Sequence, residues 1–407
     1  MRVSSFQIHR QATEQLQQLG AQAADSQRQI AQGKRLVVPG DDPVGASQLI
    51  GINQELGERA QFLRNGEAAD VQLGLTDSVL SQMTDLVQRV QELTLQAGSG
   101  VQTQEDRQFI AVEIEARAKE LIALANTTNA SGQYLFSGFK GGTPPFVEQN
   151  GDVIFTGDDG RRQVQIDRGQ FITTNTSGSE TFVEIPTRFT NVVAQTQDSD
   201  SAAIRGLSVV DQDQVDALFP EKLIVEFNDP ALAGGVANFT VRRASDQRPL
   251  EGLENVSYPN AAEIEINGIG LKIDGDPQQG DSFIIATSQQ NSLFNTVTQF
   301  VEGLKEVDPT ESPDAFAQLV ERSIDGLNAA SDQLLAARAE VGARFNTLSA
   351  VSDLHEDINL QLQEIRSNIE DLDFSEAVSN LAYESFVLEA AQQSFIRINQ
   401  LSLFNRL

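Results

Sequence analysis

The sequence of 407 residues has no cysteine, no tryptophan and only two histidines. Without cysteine the chain cannot form a disulfide, a thiolate nucleophile or a cysteine-based metal site. Aromatic residues are 6% of the chain and apolar residues are 40%. The length allows two or three domains with buried cores, but so few aromatic residues indicate an elongated protein rather than one dense globule.

Positive charge is also scarce, because 29 Lys and Arg residues stand against 58 Asp and Glu residues. The net charge of −29 argues against a nucleic-acid binder, since phosphate recognition needs a basic face. The charge is uneven. Residues 1–40 carry five Lys and Arg against two Asp and Glu, whereas residues 144–290 carry 23 Asp and Glu against ten Lys and Arg. The acidic segment is therefore expected to face solvent.

Long apolar runs are missing as well. The N-terminal sequence MRVSSFQIHRQATEQLQQLG lacks the apolar core of a secretory signal peptide. No run approaches the ~20 apolar residues that a membrane span needs. Taken alone, these absences predict a soluble cytoplasmic protein that does not enter a membrane, or one exported by a route that reads no cleavable signal.

No catalytic constellation stands out. The sequence contains no G-x-S-x-G, P-loop or H-E-x-x-H motif. His355 falls in a helical apolar stripe and is expected to be a core residue, whereas His9 lies on a weakly amphipathic segment and is expected to face solvent. We therefore predict that the protein is not an enzyme and binds no cofactor. An exported enzyme such as a cell-wall hydrolase is kept as the least favoured alternative.

Two acidic groups resemble metal ligands only superficially. Asp211, Asp213 and Asp216 lack the loop glycine and the terminal glutamate of an EF-hand. Asp41 and Asp42 have no third ligand near them in sequence. We expect a helix cap at Asp42, a solvated turn at Asp211, Asp213 and Asp216, and no metal site.

The strongest pattern in the chain is a seven-residue apolar repeat near the C-terminus. Two stripes offset by three residues are the a and d positions of a supercoiled helix. At ~1.5 Å per residue a helix over Val320–Leu372 is roughly 80 Å long, so it needs partner helices. The two stripes contain Val320, Leu327, Leu334, Val341, Leu348, His355, Leu362 and Ile369, and Ala330, Ala337, Val351, Ile358, Ile365 and Leu372.

Helical patterns also fill the N-terminal third. Residues 1–32 form a weak amphipathic pattern diluted by nine glutamines, so we expect this helix to be frayed in the monomer and ordered only against a partner. Gly33 can end it, and Asp42 before Pro43 has the N-cap and N1 residues of a new helix. The segments Val44–Ala97 and Gln104–Thr128 are the expected partners of the long C-terminal helix.

The period changes to two after Ala130, which predicts an all-β segment. Helical periodicity returns near Asn291, and a new cap with a shifted apolar phase at Leu372–Ser385 predicts a joint before a last helix. The strand candidates are Val153–Phe155, Gln163–Ile166, Phe182–Ile185, Leu223–Phe227, Asn238–Arg242, Glu263–Ile266, Leu271–Ile273 and Ser282–Ala286.

These patterns predict an α+β protein. The N- and C-terminal thirds form a long antiparallel helical bundle or coiled coil, and an all-β domain is inserted in the middle. The predicted parts are a terminal coiled coil (1–40 with 374–407), a helical bundle (41–143 with 288–373) and the β domain (144–287).

Four motifs resemble signatures of the flagellin superfamily. GKRLVVPGDDPVGAS begins at Gly33, LVQRVQELTLQA spans Leu86 to Ala97, RAEVGARFNTL begins at Arg338 and LDFSEAVSNLAYES begins at Leu372. The run ASGQYLFSGFKGGTPPF from Ala130 and the ending INQLSLFNRL are similar to members that join hook and filament, rather than to filament flagellin. The matching signature and subunit-contact positions are Lys34, Arg35, Asp41, Asp42, Arg89, Leu93, Glu113, Arg338 and Asn346.

The resemblance implies a structural protein of the bacterial flagellum, exported unfolded by the flagellar export apparatus. It implies hook-associated protein 1, flagellin, copies of the chain in a ring and an export chaperone on the C-terminal helix as partners. Filament-forming flagellin is the second interpretation. The residues expected to make terminal assembly contacts are Val3, Phe6, Leu16, Leu19, Phe374, Leu381, Leu388, Phe395, Ile398 and Leu401.

Overall fold

The computed structural model describes residues 5–149, 152–199, 201–258 and 264–404. Long helices come from both ends of this part of the chain, and strands come from its middle, which confirms the predicted α+β class. The helices are α1 (Ser5–Gln32), α2 (Pro43–Ala97), α3 (Gln104–Ala125), α4 (Gly178–Phe182), α5 (Gln212–Leu218), α6 (Leu293–Glu306), α7 (Pro313–Glu370) and α8 (Phe374–Phe404).

The strands lie between Phe146 and Asn291: β1 (Phe146–Gln149), β2 (Asp152–Phe155), β3 (Gln163–Asp167), β4 (Gln170–Thr173), β5 (Ile185–Asp198), β6 (Ala202–Val209), β7 (Lys222–Phe227), β8 (Asn238–Arg243), β9 (Val256–Ser257), β10 (Ile264–Ile266), β11 (Ile269–Gly275) and β12 (Ser282–Asn291). In the part of the chain that the structure describes, they form four antiparallel sheets. The largest has the order β5-β12-β7-β8-β9, and a second has the order β10-β11-β6.

The chain divides into two compact units. The terminal unit comprises the described parts of residues 1–66, 165–170 and 349–407, and the central unit comprises those of residues 67–164 and 171–348. Helices α2 and α7 contribute residues to both units. The boundaries of these two units differ from the boundaries of the three parts expected from the sequence. The three-part division therefore stays a prediction.

In the central unit α2 and α7 run antiparallel. Arg338 Nε donates to Asp77 Oδ1 at 3.0 Å, and Gln91 Nε2 donates to Asn328 Oδ1 at 3.1 Å, so the two sequences advance in opposite directions. The predicted a and d stripes of α7 are buried there from Leu327 to Leu348, whereas Ile365, further along the same pattern, is 47% exposed. The apolar residues of α2 and α7 that this packing buries include Leu73, Leu80, Met83, Val87, Val90, Leu93, Leu327, Ala330, Leu334, Ala337, Val341 and Leu348.

The β part of the central unit has a core of its own. In the five-stranded sheet β12 lies between β5 and β7, with Phe283 opposite Thr196 on one side and Val225 on the other. Alternate residues of β7, β8, β11 and β12 point into this core, as the period of two requires. Its fully buried members include Val215, Leu223, Val225, Val241, Ile266, Leu271, Phe283 and Ile285.

One predicted strand is wrong. Phe182–Ile185 is not a strand, because residues 178–182 form the short helix α4, and β5 begins only at Ile185. The Ser177 side chain accepts a hydrogen bond from the Glu180 backbone at 3.3 Å and caps this helix, an ability that the apolar pattern does not reveal. Strands β1, β4, β6, β9 and most of β5 were not predicted.

Candidate assembly surface

The terminal unit is built on the pair α1 and α8. Leu16 and Leu19 of α1 lie with Phe395 of α8 along one shallow groove, while Gly33 lies beside Phe374 at the other end of the pair. The two helices are therefore antiparallel, as predicted. Small and amide side chains complete the groove, which is lined by Ala12, Gln15, Leu16, Gln18, Leu19, Gln22, Ala391, Ser394 and Phe395.

This pair has almost no interior. Among the described residues of the terminal unit, the buried apolar side chains are Phe62, Ile166 and Ala377. Leu16, Leu19, Leu381, Leu388 and Phe395, all predicted assembly residues, are only half-buried. The α1–α8 contact thus removes part of their apolar surface from water and leaves the remainder exposed.

Helix α8 is apolar around most of its circumference. Tyr383 and Phe386 are each 69% exposed, and Phe374, Val378 and Ile396 are 54%, 53% and 54% exposed. At about 100° per residue, Tyr383 and Phe386 lie on a different side of the helix from the other three. A helix that is hydrophobic on all sides belongs in a buried environment, which α1 alone does not supply.

Phe374, another expected assembly residue, has more than half of its surface exposed. Its ring lies against Gly33, where an added Cβ would be 3.5 Å from the ring edge. Of the other predicted residues, Val3 lies outside the described residues, and the side chains of Phe6, Ile398 and Leu401 are likewise not described.

A compact joint connects the ends of α1 and α7. Gly33 ends α1 with φ of +68°, a left-handed conformation suited to glycine. Lys34 pairs with Glu370, and the backbone N–H of Arg35 donates to the Glu370 carbonyl at 2.7 Å. The Arg35 guanidinium donates to the Ile369 carbonyl at 2.7 Å. Two of the predicted signature residues, Lys34 and Arg35, therefore fasten the joint.

The two aspartates of the signature shape the turn into α2. Asp41 Oδ2 accepts the backbone N–H groups of Val37 and Val38, both at 3.0 Å. These two bonds, that of Val38 first, hold the pKa of Asp41 below its usual value. Asp42 Oδ1 accepts Gly45 N at 2.9 Å and caps α2, as predicted from the sequence.

Helices α2 and α3 share an ion-pair cluster in the central unit. Arg89 Nη2 lies 2.9 Å from Glu113 Oε1, and its Nη1 lies 3.1 Å from Glu92 Oε2. The bond to Glu113, and then that to Glu92, raises the pKa of Arg89. Leu93, expected to contact other subunits, is only 1% exposed. It follows Arg89 by about one helical turn, at the edge of α2 that packs into the core of the central unit.

The C-terminal signature has one structural and one exposed member. Arg338 is half-buried and pairs with Asp77 between α7 and α2, whereas Asn346 is exposed. Nearby, Arg344 donates to the Asn175 carbonyl at 2.9 Å and tethers the loop before α4. Arg338 therefore holds the bundle together, and Asn346 is free to meet a partner.

The YLFSG run forms a buried turn. Leu135, Phe136 and Ser137 are at most 1% exposed, and the Phe136 ring packs edge-on against Phe182 with centroids 4.9 Å apart. Gly138 has φ of +67°, and an added Cβ would lie 2.0 Å from the Asp158 carbonyl oxygen. Only glycine fits that backbone and that space.

A cluster of contacts around His355, the His355 clasp, was not predicted from the sequence. Its Nε2 lies 2.8 Å from the Ile166 carbonyl, and its Nδ1 lies 3.0 Å from Arg59 Nη1. A carbonyl only accepts and a guanidinium only donates, so we assign the neutral tautomer with the proton on Nε2. Phe62 stacks on the ring, and Arg168 binds Glu58 in bidentate fashion. The sequence feature that could have indicated these contacts is a histidine within an otherwise apolar heptad stripe.

The acidic groups considered as metal ligands have other partners. Asp211 caps α5 by accepting from Gln214 N at 3.2 Å, and Asp216 accepts from Thr190 N at 2.9 Å. Within the described residues there is no group of three or more His, Asp or Glu side chains placed to hold a metal. Nor does any described helix have the length and apolarity needed to cross a membrane.

The paired long helices, the joint between α1 and α7 and the signature residues can be compared with those of known proteins. Residues 3–140 match the family described as the bacterial flagellin N-terminal helical region. This N-terminal third of the chain therefore has the helical region of the flagellin family, as its motifs indicated. Over 99% of each chain, the protein is 25% identical to flagellar hook-associated protein 3 of Escherichia coli K12.

Solved structures agree with this placement. A crystal structure of flagellar hook-associated protein 3 from Legionella pneumophila has a TM-score of 0.52 and 25% identity, covering 78% of this chain and 98% of that one. Similarity to a flagellin is more limited. Polar flagellin E of Vibrio parahaemolyticus is 29% identical over 34% of this chain and 37% of its own.

Proposed function

We propose that the protein is a structural component of the bacterial flagellum that joins hook and filament. It forms a ring of identical copies between a protein like hook-associated protein 1 and flagellin. Full-length similarity to flagellar hook-associated protein 3 supports this role. The protein is accordingly extracellular after export without a cleaved signal, and an export chaperone covers α8 before assembly.

The observation that carries the proposal is the uncovered apolar surface of α8. Its exposed aromatic and aliphatic side chains lie on more than one side of the helix, and α1 covers only one side. Contact with α8 and α1 of other subunits would bury this surface, at about 25 cal/mol for each Å² removed from water. Assembly would thereby supply the core that the terminal unit lacks.

Charge favours close packing of these helices. Residues 5–32 carry two basic and two acidic residues, and residues 374–404 carry one basic and three acidic residues. Identical copies placed side by side therefore meet little like-charge repulsion. The excess negative charge lies mostly in the central unit, which has 18 Lys and Arg against 41 Asp and Glu and would face solvent.

Filament-forming flagellin is the second candidate function. The limited match to polar flagellin E favours it less than full-length similarity favours the junction role. Seeding tests the alternative directly. Purified protein added to filament fragments should bind at the ends without extending them, whereas growth into long filaments would support the flagellin function. An enzyme is not proposed, because no motif or described side-chain cluster suggests catalysis.

The proposal is tested by removing the uncovered surface while keeping the fold. The double variant Tyr383→Ser and Phe386→Ser should be exported and folded but should fail to support filaments in a strain that lacks its own copy. A chain ending after Leu372 should fail in the same way. The matched control is Val71→Ser, which removes a 73% exposed apolar side chain from the central unit and should support filaments. Normal filaments with the double variant would reject the proposal.

A further inference from the structure

A groove in the central unit has the lining of a saccharide site. Its volume is about 500 Å³, within the range of small-molecule sites in proteins. Its floor includes the small residues Ala68 and Ala69 of α2, and its lining residues contain no carboxylate. The other residues around it are Gln72, Asn129, Gln133, Phe139, Arg162, Gln163, Val164 and Thr174.

Amide groups in the groove keep hydrogen-bonding capacity. The Gln72 Oε1 accepts from Asn129 Nδ2 at 3.1 Å, and the Gln133 Oε1 accepts from Arg162 Nη1 at 2.7 Å. Both carbonyl oxygens are thereby fixed, so the two NH₂ groups are oriented and available. Gln163 is exposed and has no hydrogen bond from its side chain within the described chain. Planar donors of this kind match the closely spaced hydroxyls of a sugar.

Phe139 supplies an aromatic wall. Its side chain is 68% exposed, yet its backbone is fixed because its N–H donates to Asp158 Oδ1 at 2.8 Å. The ring rests on Gly160, where an added Cβ would lie 2.2 Å from it. A rigid, exposed ring offers an apolar face for stacking at little cost in conformational entropy.

Arg162 adds a positive charge that no carboxylate neutralises. Its guanidinium donates to Gln133 Oε1 and, at 3.1 Å, to the Tyr134 carbonyl, and both acceptors are neutral. In the described residues Arg162 has no ion pair. The neighbouring Arg161, by contrast, lies 3.0 Å from Glu180. An uncompensated guanidinium beside amide donors favours a carboxylate on the ligand.

We propose that this groove binds an acidic oligosaccharide. Phe139 stacks on a sugar ring, the amides of Gln72, Gln133 and Gln163 bind hydroxyls, and Arg162 binds the carboxylate. This function is separate from the junction role, because it uses none of the terminal helices. It gives the central unit a contact with acidic surface polysaccharides.

The proposal is tested by calorimetric titration of the full-length protein with hyaluronan hexasaccharide and with sialyllactose. These probes carry uronic and sialic carboxylates and thus distinguish two sources of acidic sugar. Saturable binding of at least one is expected, and the neutral maltohexaose should bind at least tenfold more weakly. Absence of binding to both acidic probes at millimolar concentration would overturn the proposal, as would equal affinity for maltohexaose.

Matched variants locate the site. Arg162→Gln should weaken binding at least tenfold, whereas Arg161→Gln removes the same charge outside the groove and should change it less than twofold. Ala68→Trp fills the groove from an exposed position without removing a contact and should also abolish binding. Circular dichroism and thermal melting verify that each variant is folded. Equal losses in both arginine variants, or unchanged binding by Ala68→Trp, would refute the assignment.

Discussion

The two units differ in how completely their long helices bury apolar side chains. In the central unit, α2 and α7 bury long apolar stripes against each other and against α3 and α6, and the β sheets add a second core. In the terminal unit, α1 and α8 leave most of their apolar side chains half-buried or exposed. The central unit therefore has buried cores of its own, while the terminal unit leaves apolar surface exposed. This difference is what a subunit needs if it is to travel singly and assemble later.

Truncating leucines in the two units should show the largest contrast. Leu80→Ala removes a fully buried side chain from the central unit and should lower the free energy of unfolding by about 3 kcal/mol. Leu388→Ala removes a half-buried one from α8 and should lower it by no more than about 1 kcal/mol. Urea unfolding of the isolated chain measures both. Equal losses would mean that α8 already has a core in the monomer.

The His355 clasp should be the exception within the terminal unit. His355→Ala leaves the Ile166 carbonyl and Arg59 Nη1 without their partner and opens a cavity beside Phe62, so we expect a loss of about 2 kcal/mol. Hydrogen exchange should increase around residues 349–366. Leu354→Ala, at a half-exposed position one residue away, is the control and should have little effect. Similar exchange in the two variants would contradict the role of the clasp.

A pH-dependent contribution is expected at the buried turn of the central unit. Asp158 accepts the backbone N–H groups of Phe139, Lys140 and Gly160, and these bonds, that of Phe139 first, hold its pKa below the usual value. A lowered pKa stabilises the fold above the unfolded value of about 4, and this stability is lost as the pH falls through the folded value.

Asp158→Asn should therefore cost about 1 kcal/mol at neutral pH, and the difference from the parent protein should shrink below about pH 4. Denaturant titrations across this pH range measure the effect. Asp274→Asn makes the same charge change at an exposed position and should alter stability little at any pH. A loss from Asp158→Asn that does not depend on pH would show that ionisation is not its source.

The smallest effect is expected at the ion pair of the joint. Lys34 is about half exposed, so Lys34→Gln should change the stability of the isolated chain by less than about 1 kcal/mol, and less still in high salt. Lys119→Gln breaks the exposed ion pair with Glu115 within α3 and should change the stability by a similarly small amount. Thermal melting at two salt concentrations makes the measurement. A salt-independent loss much larger than that of Lys119→Gln would mean that the joint stabilises the monomer.

Much of the helical architecture follows from local signals. The heptad stripe, Gly33, the Asp42–Pro43 cap and the shifted phase after Leu372 predicted the helices and the joint, because each depends on neighbours a few residues away. The β part was harder. Strands β5 and β6 carry polar, partly exposed sequences that are fixed by pairing with β12 and β11, residues far away in the chain. Helix α4 depends on the Ser177 cap within the polar stretch TTNTSGSET, where no helical apolar pattern announces a helix.

The site was predictable in outline only. The motifs pointed to Lys34 and Arg35 as contact positions but not to their partners, Glu370 and the Ile369 carbonyl at the end of α7. Asp42 caps α2, as its position before Pro43 predicted. Leu93, which its motif marked as a contact position, is buried in the central unit, because a motif does not tell which side of a helix faces the core. The exposed apolar face with Tyr383 and Phe386 was not predicted, because the apolar stripe expected for α8 lies on another side of that helix.

Hydrogen–deuterium exchange on the isolated chain at low concentration tests the central claim most directly. The account predicts that the amides of α1 and α8 exchange orders of magnitude faster than those of α2 and α7 between residues 73–97 and 327–348, and that they become protected in assembled flagella. Protection of α1 and α8 in the dilute monomer as strong as that of the central helices would contradict it.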